Sequence, residues 1–570
     1  AVSRRPGIYP GSVHWGPDLR AQSLVDSPGE VRQFMIRAAV AVWRFSRRYP
    51  YLILILMIGA QTLPALEARW FWFSDEVRYA EVYANLIGEG RWVLLELNGA
   101  PYPDKPPLYF LLLAALDQIP GIGMPGVMFL GSAVTGPFLL IAVDRLGAAV
   151  GLTQPERVAG MLATLCLFAV ILHLHYVRMD LLFVALMLWC QTLLYRYHLG
   201  EERPAVLLAG YAMGGLSVLV KGPLGLVLPM LAVWAVAVWA GQGRRILGWP
   251  TLAGLAVALG VILTWALGIV LVEGWSYLTD EIIGRQVVAR ATEAFHHSEP
   301  WTYYFLVLPL LMLPWTGMLA SLPWGRAVQW PGAIWSGRRA PGPATALGAA
   351  ALVHFAVLSS LDGKVAIYVL PIMAQLALLV GGLSLRAELR AGWVGSGLLM
   401  ALCGAGLLWL ALAPAGAGLR LGAAICGTGL VLYGAALALF GRAGGPTLAA
   451  LSLGLSAWSL ALALWLLPGL NDRASTRLPA EIIARYADEG YTPVAYKTYP
   501  GIYSYYAGRD LLQIEEAENL RALAADGGPM VVAARRERWE GLGLDGFEVV
   551  DDRPILGAGP DYLVLVRPAP

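Results

Sequence analysis

Four carboxylates (Asp75, Glu76, Asp104 and Glu281) and five cations (Arg78, Lys105, Arg285, Arg290 and Lys364) stand between long apolar runs, together with the sequence His296-His297-Ser298-Glu299. Each residue type has a use in one kind of reaction. A carboxylate can flank a sugar passing through an oxocarbenium-like state. Arginine, lysine or a metal ion can stabilise the charge that grows on a departing phosphate. The inventory therefore suits transfer of a sugar from a lipid phosphate. The lipid tail must lie in the bilayer, so such a centre belongs at a membrane surface.

The elements that must hold these residues are membrane spans. Of 570 residues, 58% are hydrophobic and only 14% charged, against roughly 25% charge in a soluble chain. Mean hydropathy is +0.61. Apolar stretches of about 20 residues, the length that crosses a bilayer as helix, recur along the chain. They predict thirteen spans, near 48–67, 126–145, 156–174, 180–197, 204–220, 223–240, 247–272, 303–322, 344–361, 365–383, 393–412, 419–440 and 446–468. The 21 Trp residues suit helix ends in the headgroup layer. A net charge of +2 names no partner, and nothing points to nucleic-acid binding. Cys166, Cys190, Cys403 and Cys426 lie inside apolar runs at no metal-like spacing, so they read as small buried hydrophobes. Residues 1–34 are polar, start without Met and show no cleavable signal pattern.

Arginine and lysine sort the loops into two sides. One set carries Arg37, Arg44, Arg47 and Arg48, then Arg196 and Arg203, Arg244 and Arg245, Arg326, Arg338 and Arg339, and Arg386 and Arg390, and is expected to be cytoplasmic. An odd number of spans puts the C-terminal tail outside. The external side should be poor in cations, and its exceptions are Arg78, Lys105, Arg178, Lys221, Arg285, Arg290 and Lys364. Cations that oppose the topology rule call for another reason, and anion binding supplies one.

The long external loops are 68–125 and 273–302. In the first, Ser74 is expected to cap a helix whose positive end suits Asp75 and Glu76. Val77, Ala80, Ala84 and Ile87 recur at helical spacing, which predicts an amphipathic helix lying on the membrane, with Asp75 and Arg78 on one face. Pro106-Pro107 stiffens the chain after Asp104 and Lys105, and the short apolar run 108–119 reads as re-entrant or interfacial. The tail, 471–570, reads as a soluble α/β domain. It is helical at Pro479–Ala487, with β-rich runs at 493–497, 530–534, 547–550 and 562–566. It has no Gly-rich phosphate loop, so its expected role is to pack on the external loops.

These residues resemble a known family. Asp75-Glu76-x-Arg78-Tyr79-x-Glu81, then Gly90-x-Trp92 and Asp104-Lys105-Pro106-Pro107-Leu108, is similar to the first external loop of the polytopic GT-C glycosyltransferases. Within them the likeness is nearest to the aminoarabinose transferases of lipid A and their protein-mannosyltransferase-like relatives. Glu281-Ile-Ile-Gly-Arg285 with His297-x-x-Pro300-x-x-Tyr-Tyr resembles the family's second long loop, and Ser359-Ser360-x-x-Gly363-Lys364-x-x-x-Tyr368-x-x-Pro371 its later Ser-Lys-x-x-x-Tyr-x-x-Pro segment.

The resemblance implies an α-helical polytopic membrane protein of GT-C type. A cytoplasmic segment 1–47 would precede a transmembrane glycosyltransferase domain, 48–470, and a periplasmic α/β domain, 471–570. It implies a pentosyltransferase of the bacterial inner membrane, with active site and C-terminus periplasmic. The donor would be an undecaprenyl phosphate-linked sugar and the acceptor lipid A, with membrane lipids as surroundings and a monomeric state. Asp75 takes the place of the essential acid. Arg78, Lys105, Arg285, Tyr368 and Lys364 take places around the carrier phosphate. Asp104 and His297 take the places that hold a divalent metal, with zinc favoured by the imidazole. The sequence departs from the pattern where Asp104 replaces the more usual Glu, where Ile282 replaces a His, and where Lys364-Val-Ala-Ile-Tyr368 replaces Lys-Leu-Pro-x-Tyr. A GT-C enzyme with a protein or glycan acceptor is the alternative. A transporter fits less well, because its ionisable groups belong mid-span.

Overall fold

A computed structural model describes residues 30–200, 203–289, 299–386, 389–441 and 444–568. Inside a bilayer every backbone N–H and C=O must be paired within its own segment, so apolar runs fold as helices. Each of the thirteen predicted runs forms a helix or a bent helical pair. Eight of the resulting helices are long and apolar enough to cross a membrane among the described residues, or ten if each bent pair is one span. The bent pairs are Gln154–Leu165 with Phe168–Leu174, turned by 67°, and Tyr303–Leu311 with Trp315–Ser321, turned by 99°. Pro50–Ala65 and Leu224–Trp239 are shorter, and Asp180–His198 carries Asp180 at its first position.

Met124–Ala149 lies at the centre of the bundle and Trp249–Glu273 at its edge, since 78% of the apolar window of the first is buried and 11% of the second. Helices Arg390–Leu412 and Arg420–Phe440 cross through facing glycines. A Cβ on Gly397 or Gly434 would run into the other helix's backbone, the close approach that small residues permit between membrane helices.

The tail forms a five-stranded sheet. After the short hairpin β1 (Glu96–Leu97) and β2 (Ala100–Pro101) of the first long loop come β3 (Thr492–Tyr496), β4 (Leu512–Ile514), β5 (Met530–Arg535), β6 (Glu548–Asp551) and β7 (Tyr562–Arg567). The order is β4-β3-β5-β7-β6, with β3 parallel to β4 and β5, and β7 antiparallel to β5 and β6. The strand at Leu512–Ile514 had no sequence signal of its own, being three residues long.

The first long loop and the tail share one apolar core, in which Val77, Tyr79, Tyr83 and Phe110 pack with Ile483, Ile502, Tyr503 and Val564. Phe73 N–H donates to Ala474 C=O (2.8 Å), Phe71 N–H to Tyr506 Oη (2.8 Å) and Asn98 Nδ2 to Leu511 C=O (2.9 Å). Loop and tail therefore lie on the same side of the bundle, whatever the number of spans. This contact also adds a cover to the expected surface helix. Asp75–Glu89 is a helix, but Tyr79, Glu81, Val82 and Tyr83 are buried as well as Val77 and Ala80, while Ala84 and Ile87 are exposed. The tail covers the face that the sequence pattern assigned to water.

Candidate active site

The site is built at the start of the Asp75–Glu89 helix. Ser74 stands at its N-cap but its side chain makes no capping hydrogen bond. Glu76, in the first turn, points back to the stretch of chain before the helix, accepting Trp72 N–H at 2.9 Å while forming a bidentate pair with Arg69 (2.6 and 2.5 Å). Both side chains are inside the protein, 4% and 0% exposed. Glu76 also accepts Val177 N–H (2.6 Å), and Arg69 donates to His175 C=O (2.6 Å). The Arg69 guanidinium lies over the rings of Trp72 and Phe129. The pair thus clamps the loop to residues 175–177, and it is a structural anchor, not a group open to substrate.

The clamp delivers Arg178. Its Nη2 lies 2.8 Å from Asp75 Oδ2, with the Asp75 side chain about a quarter exposed. Burial pushes the Asp75 carboxyl up, but Arg178, Lys105, Arg78 and Lys221 together outweigh it and hold the group below the usual carboxylate range. Arg178 is shared with Asp180, its Nε donating at 2.9 Å, and Asp180 accepts from Lys221 as well. Asp180 opens its helix and Lys221 closes another, positions that favour each charge by the helix dipole. Tyr368, in a short turn after Lys364, has its ring centroid 5.2 Å from Lys221 Nζ. Arg78 donates Nε to Pro500 C=O (3.1 Å), lies over the Tyr102 ring, and approaches Asp104 Oδ2 at 3.9 Å. Burial lowers its pKa, but Tyr102, Asp75 and Asp104 raise it further, so it stays charged. Around Asp75, four cations share three carboxylates (Asp75, Asp104 and Asp180), an excess of positive charge that suits an anion.

The second long loop meets the first. Leu278 and Ile282 pack with Leu94 and Ile269, and Trp265 Nε1 donates to Val93 C=O (2.9 Å). The Tyr277 phenol is pushed up to about 12, by burial and then by Glu281, Glu273 and Asp104, which sets this segment beside Asp104. Arg285 lies on the helical stretch Leu278–Ala289; Arg290, His296 and His297 fall outside the described residues. Lys364 is 4% exposed, and its ammonium donates to Glu299 C=O (2.7 Å) and Leu361 C=O (2.5 Å). It braces two loops by their main chains. Among the described residues no three His, Cys, Asp or Glu side chains gather as a metal site.

The structure thus brings together Asp75, Arg78, Lys105, Asp104 and Tyr368. It adds Arg178, Asp180 and Lys221, of which Arg178 and Lys221 had a sequence signal as cations on the cation-poor side. Asp180, two residues after Arg178 and at a helix start, had none beyond that spacing.

No family model matches the chain. It is 30% identical over 382 residues to the undecaprenyl phosphate-alpha-4-amino-4-deoxy-L-arabinose arabinosyl transferase of Pseudomonas aeruginosa (strain UCBPP-PA14), covering 65% of this chain and 64% of that protein. It is 31% identical over 328 residues to arabinosyl transferase 1 of the same name from Sodalis glossinidius, covering 56% of each. The match thus spans somewhat less than two thirds of these relatives' length. In three dimensions the chain superposes on ArnT from Cupriavidus metallidurans bound to undecaprenyl phosphate with a TM-score of 0.67 and 18% identity, covering 94% of this chain and 97% of that one. The apo form gives 0.66. The fold is that of ArnT.

Proposed function

We propose that this chain transfers 4-amino-4-deoxy-L-arabinose from undecaprenyl phosphate to a phosphate of lipid A, at the periplasmic face of the inner membrane. The observation that carries the reading is the ionised Asp75 ringed by Arg178, Lys105, Arg78 and Lys221 at one end of an apolar bundle. The relatives' names and the ArnT likeness supply the sugar and the carrier. Lipid A modified in this way would resist polymyxin and other cationic peptides.

In the reaction the bond between the anomeric carbon and the carrier's phosphate oxygen breaks, and undecaprenyl phosphate leaves with the electron pair. A bond forms between that carbon and an oxygen of the acceptor phosphate. Lys105 and Arg78, with Arg285, offset the charge that grows on the leaving phosphate. Asp75 flanks the sugar as positive charge develops on its ring. Its depressed pKa keeps it ionised for that role. The acceptor phosphate is itself ionised near neutral pH, with a second pKa of about 6, so Asp75 need not remove a proton from it. Arg178 and Asp180 orient Asp75, and Lys221 is positioned by Asp180 beside Tyr368.

Asp104 supplies a carboxylate whose side chain is 28% exposed. With His297 it would hold zinc, which would supply a Lewis acid at the leaving phosphate. Arg78 competes for the same carboxylate.

The test is mass spectrometry of lipid A from cells with the wild-type protein, with Asp75→Asn and without the gene. A mass increment of one aminopentose should appear with the wild type alone. Unmodified lipid A in all three, with the sugar on a protein or another glycan, would move the reading to a different acceptor. Modification by Asp75→Asn would remove Asp75 from the mechanism.

A further inference from the structure

The sheet of the C-terminal domain has a strand divergence that the proposed reaction leaves unused. β3 lies between β4 and β5, all three parallel, so the chain leaves the carboxyl end of β3 to one side and reaches β5 on the other. Open α/β sheets bind ligands at that kind of divergence, outside the carboxyl ends of the strands. Here the position is furnished with rings and one arginine. Tyr499 follows β3, Arg535 ends β5, and Tyr562, its partner across the ladder, begins β7. The Arg535 guanidinium lies 5.2 Å from the Tyr499 ring centroid. Phe73 of the first long loop faces the same group, its ring centroid 6.1 Å from Tyr499 and 6.0 Å from Tyr562.

The polar atoms of this group are only partly spent within the protein. Arg535 Nε is buried with no hydrogen-bond partner among the described residues, and the buried Tyr562 hydroxyl has the Arg535 side chain as its hydrogen-bonding neighbour. Arg535 also has no carboxylate within ion-pair distance among them, whereas the next residue, Arg536, reaches Glu540, Asp552 and Asp561. A buried donor without a partner costs about 1–3 kcal/mol, a cost that a bound anion would remove. Burial raises the Tyr562 phenol and Arg535 opposes it, so the guanidinium charge is felt at that hydroxyl. This position adjoins the reacting centre. Phe73 is two residues from Asp75, and Pro500, next to Tyr499, accepts the Arg78 hydrogen bond.

We propose that this position binds the phosphorylated sugar headgroup of the acceptor. Arg535 and Tyr562 donate to a phosphate oxygen, and the rings of Tyr499 and Phe73 lie against the sugar. The inference rests on the acceptor being a lipid-borne phosphosugar, and it adds where the chain holds it. A tail that packs on the loops would then also select the acceptor.

The test uses the full chain in nanodiscs, with lipid A as acceptor and wild type, Arg535→Gln, Tyr499→Ala and Tyr562→Phe compared. Loss of one charge-assisted contact should raise the acceptor KM roughly 10-fold or more in Arg535→Gln. The donor KM and the kcat at saturating acceptor should stay near wild type. Tyr562→Phe, which opens no cavity, should move the acceptor KM in the same direction by less. Soluble glucosamine 1-phosphate should compete with lipid A and lose potency in Arg535→Gln. Inorganic phosphate competing as well as the phosphosugar would overturn the headgroup assignment in favour of a bare anion. An unchanged acceptor KM in a normally melting Arg535→Gln would overturn the site itself. If the wild type transfers nothing to lipid A, the functional reading fails. Direct calorimetric binding of glucosamine 1-phosphate then decides the site, and equal binding by wild type and Arg535→Gln refutes it.

Discussion

Replacing Glu76 by Ala should unfasten the active site without touching a reacting group. Its carboxylate receives two hydrogen bonds from Arg69 and one each from Trp72 N–H and Val177 N–H. The truncation would leave the Arg69 guanidinium, in a side chain 4% exposed, as a buried charge without its partner. Breaking a buried pair in this way costs about 3–5 kcal/mol. That outweighs a lost surface pair, worth about 1 kcal/mol or less, because water cannot reach the stranded charge. The double variant Arg69→Met/Glu76→Gln removes the charge and keeps an acceptor for one of the two N–H groups, which reach different oxygens of Glu76, so it should recover part of the loss. Thermal unfolding in mild detergent, followed by tryptophan fluorescence, should rank Glu76→Ala below the double variant and the double below wild type. Transfer should fall in Glu76→Ala beyond what its stability explains, since Val177 and His175 place Arg178 against Asp75. A Glu76→Ala protein that melts and transfers as wild type does would refute the clamp. A double variant that loses as much as the two single variants together would refute the pairing.

Three further outcomes are expected. Glu81, buried between loop and tail with Asn98 N–H donating to Oε1 at 2.6 Å, has its carboxyl raised from 4.5 to about 8, chiefly by burial, with Asp510 adding to the rise and Asn98, Ser504 and Arg78 opposing it. Its folded-state pKa exceeds the unfolded one, so its contribution is whole below about 4.5 and is lost as pH rises through about 8. Glu81→Gln should flatten that loss, and parallel melting curves for the two proteins from pH 5 to 9 would contradict it. An alkaline phosphatase fused after Pro570 should be active and one fused after Arg245 inactive, and the reverse would place loop 68–125 in the cytoplasm with the tail. Protein purified without a histidine tag should carry about one zinc per chain, lose transfer in EDTA, and bind less metal as His297→Ala. Full activity in metal-free protein would leave the phosphate to Lys105, Arg78 and Arg285.

The parts of the fold legible in the sequence are those set by local physics. Apolar length fixes where helices form, so each predicted run has one. Whether a run crosses the bilayer straight does not follow from its composition, as Tyr303–Ser321, bent by 99°, makes plain. In the tail, the helix Arg477–Asp488 and four of the five strands are readable because periodicity and turn residues are local signals, whereas the strand Leu512–Ile514 and the helix Ala517–Ala525 are not. Contacts between distant segments are not readable either. Ser74 has the chemistry of a cap, yet its side chain makes no capping bond, and Glu76 in the first turn is committed to Arg69, Trp72 and Val177 instead. Ala84 and Ile87 are exposed, open to lipid as the apolar pattern expects, whereas the cover that the tail gives to Tyr79, Glu81 and Tyr83 had no local signal.

The same distinction explains which charges the sequence could sort. Motif likeness named Arg78 and Lys105 but passed over Arg178 and Lys221, whereas the topology rule had marked all four as cations on the wrong side. All four act on the Asp75 carboxylate. A cation costs free energy wherever the membrane disfavours it, so its presence there signals an interaction strong enough to offset that cost. The rule detects the cost and not the partner. Lys364 is marked by it as well, and its partners are two backbone carbonyls. What separates the two outcomes is a carboxylate in reach, and that depends on helices that meet only in three dimensions. Asp180 lies 41 residues from Lys221 in the chain, and only the packing of two helix ends makes them neighbours.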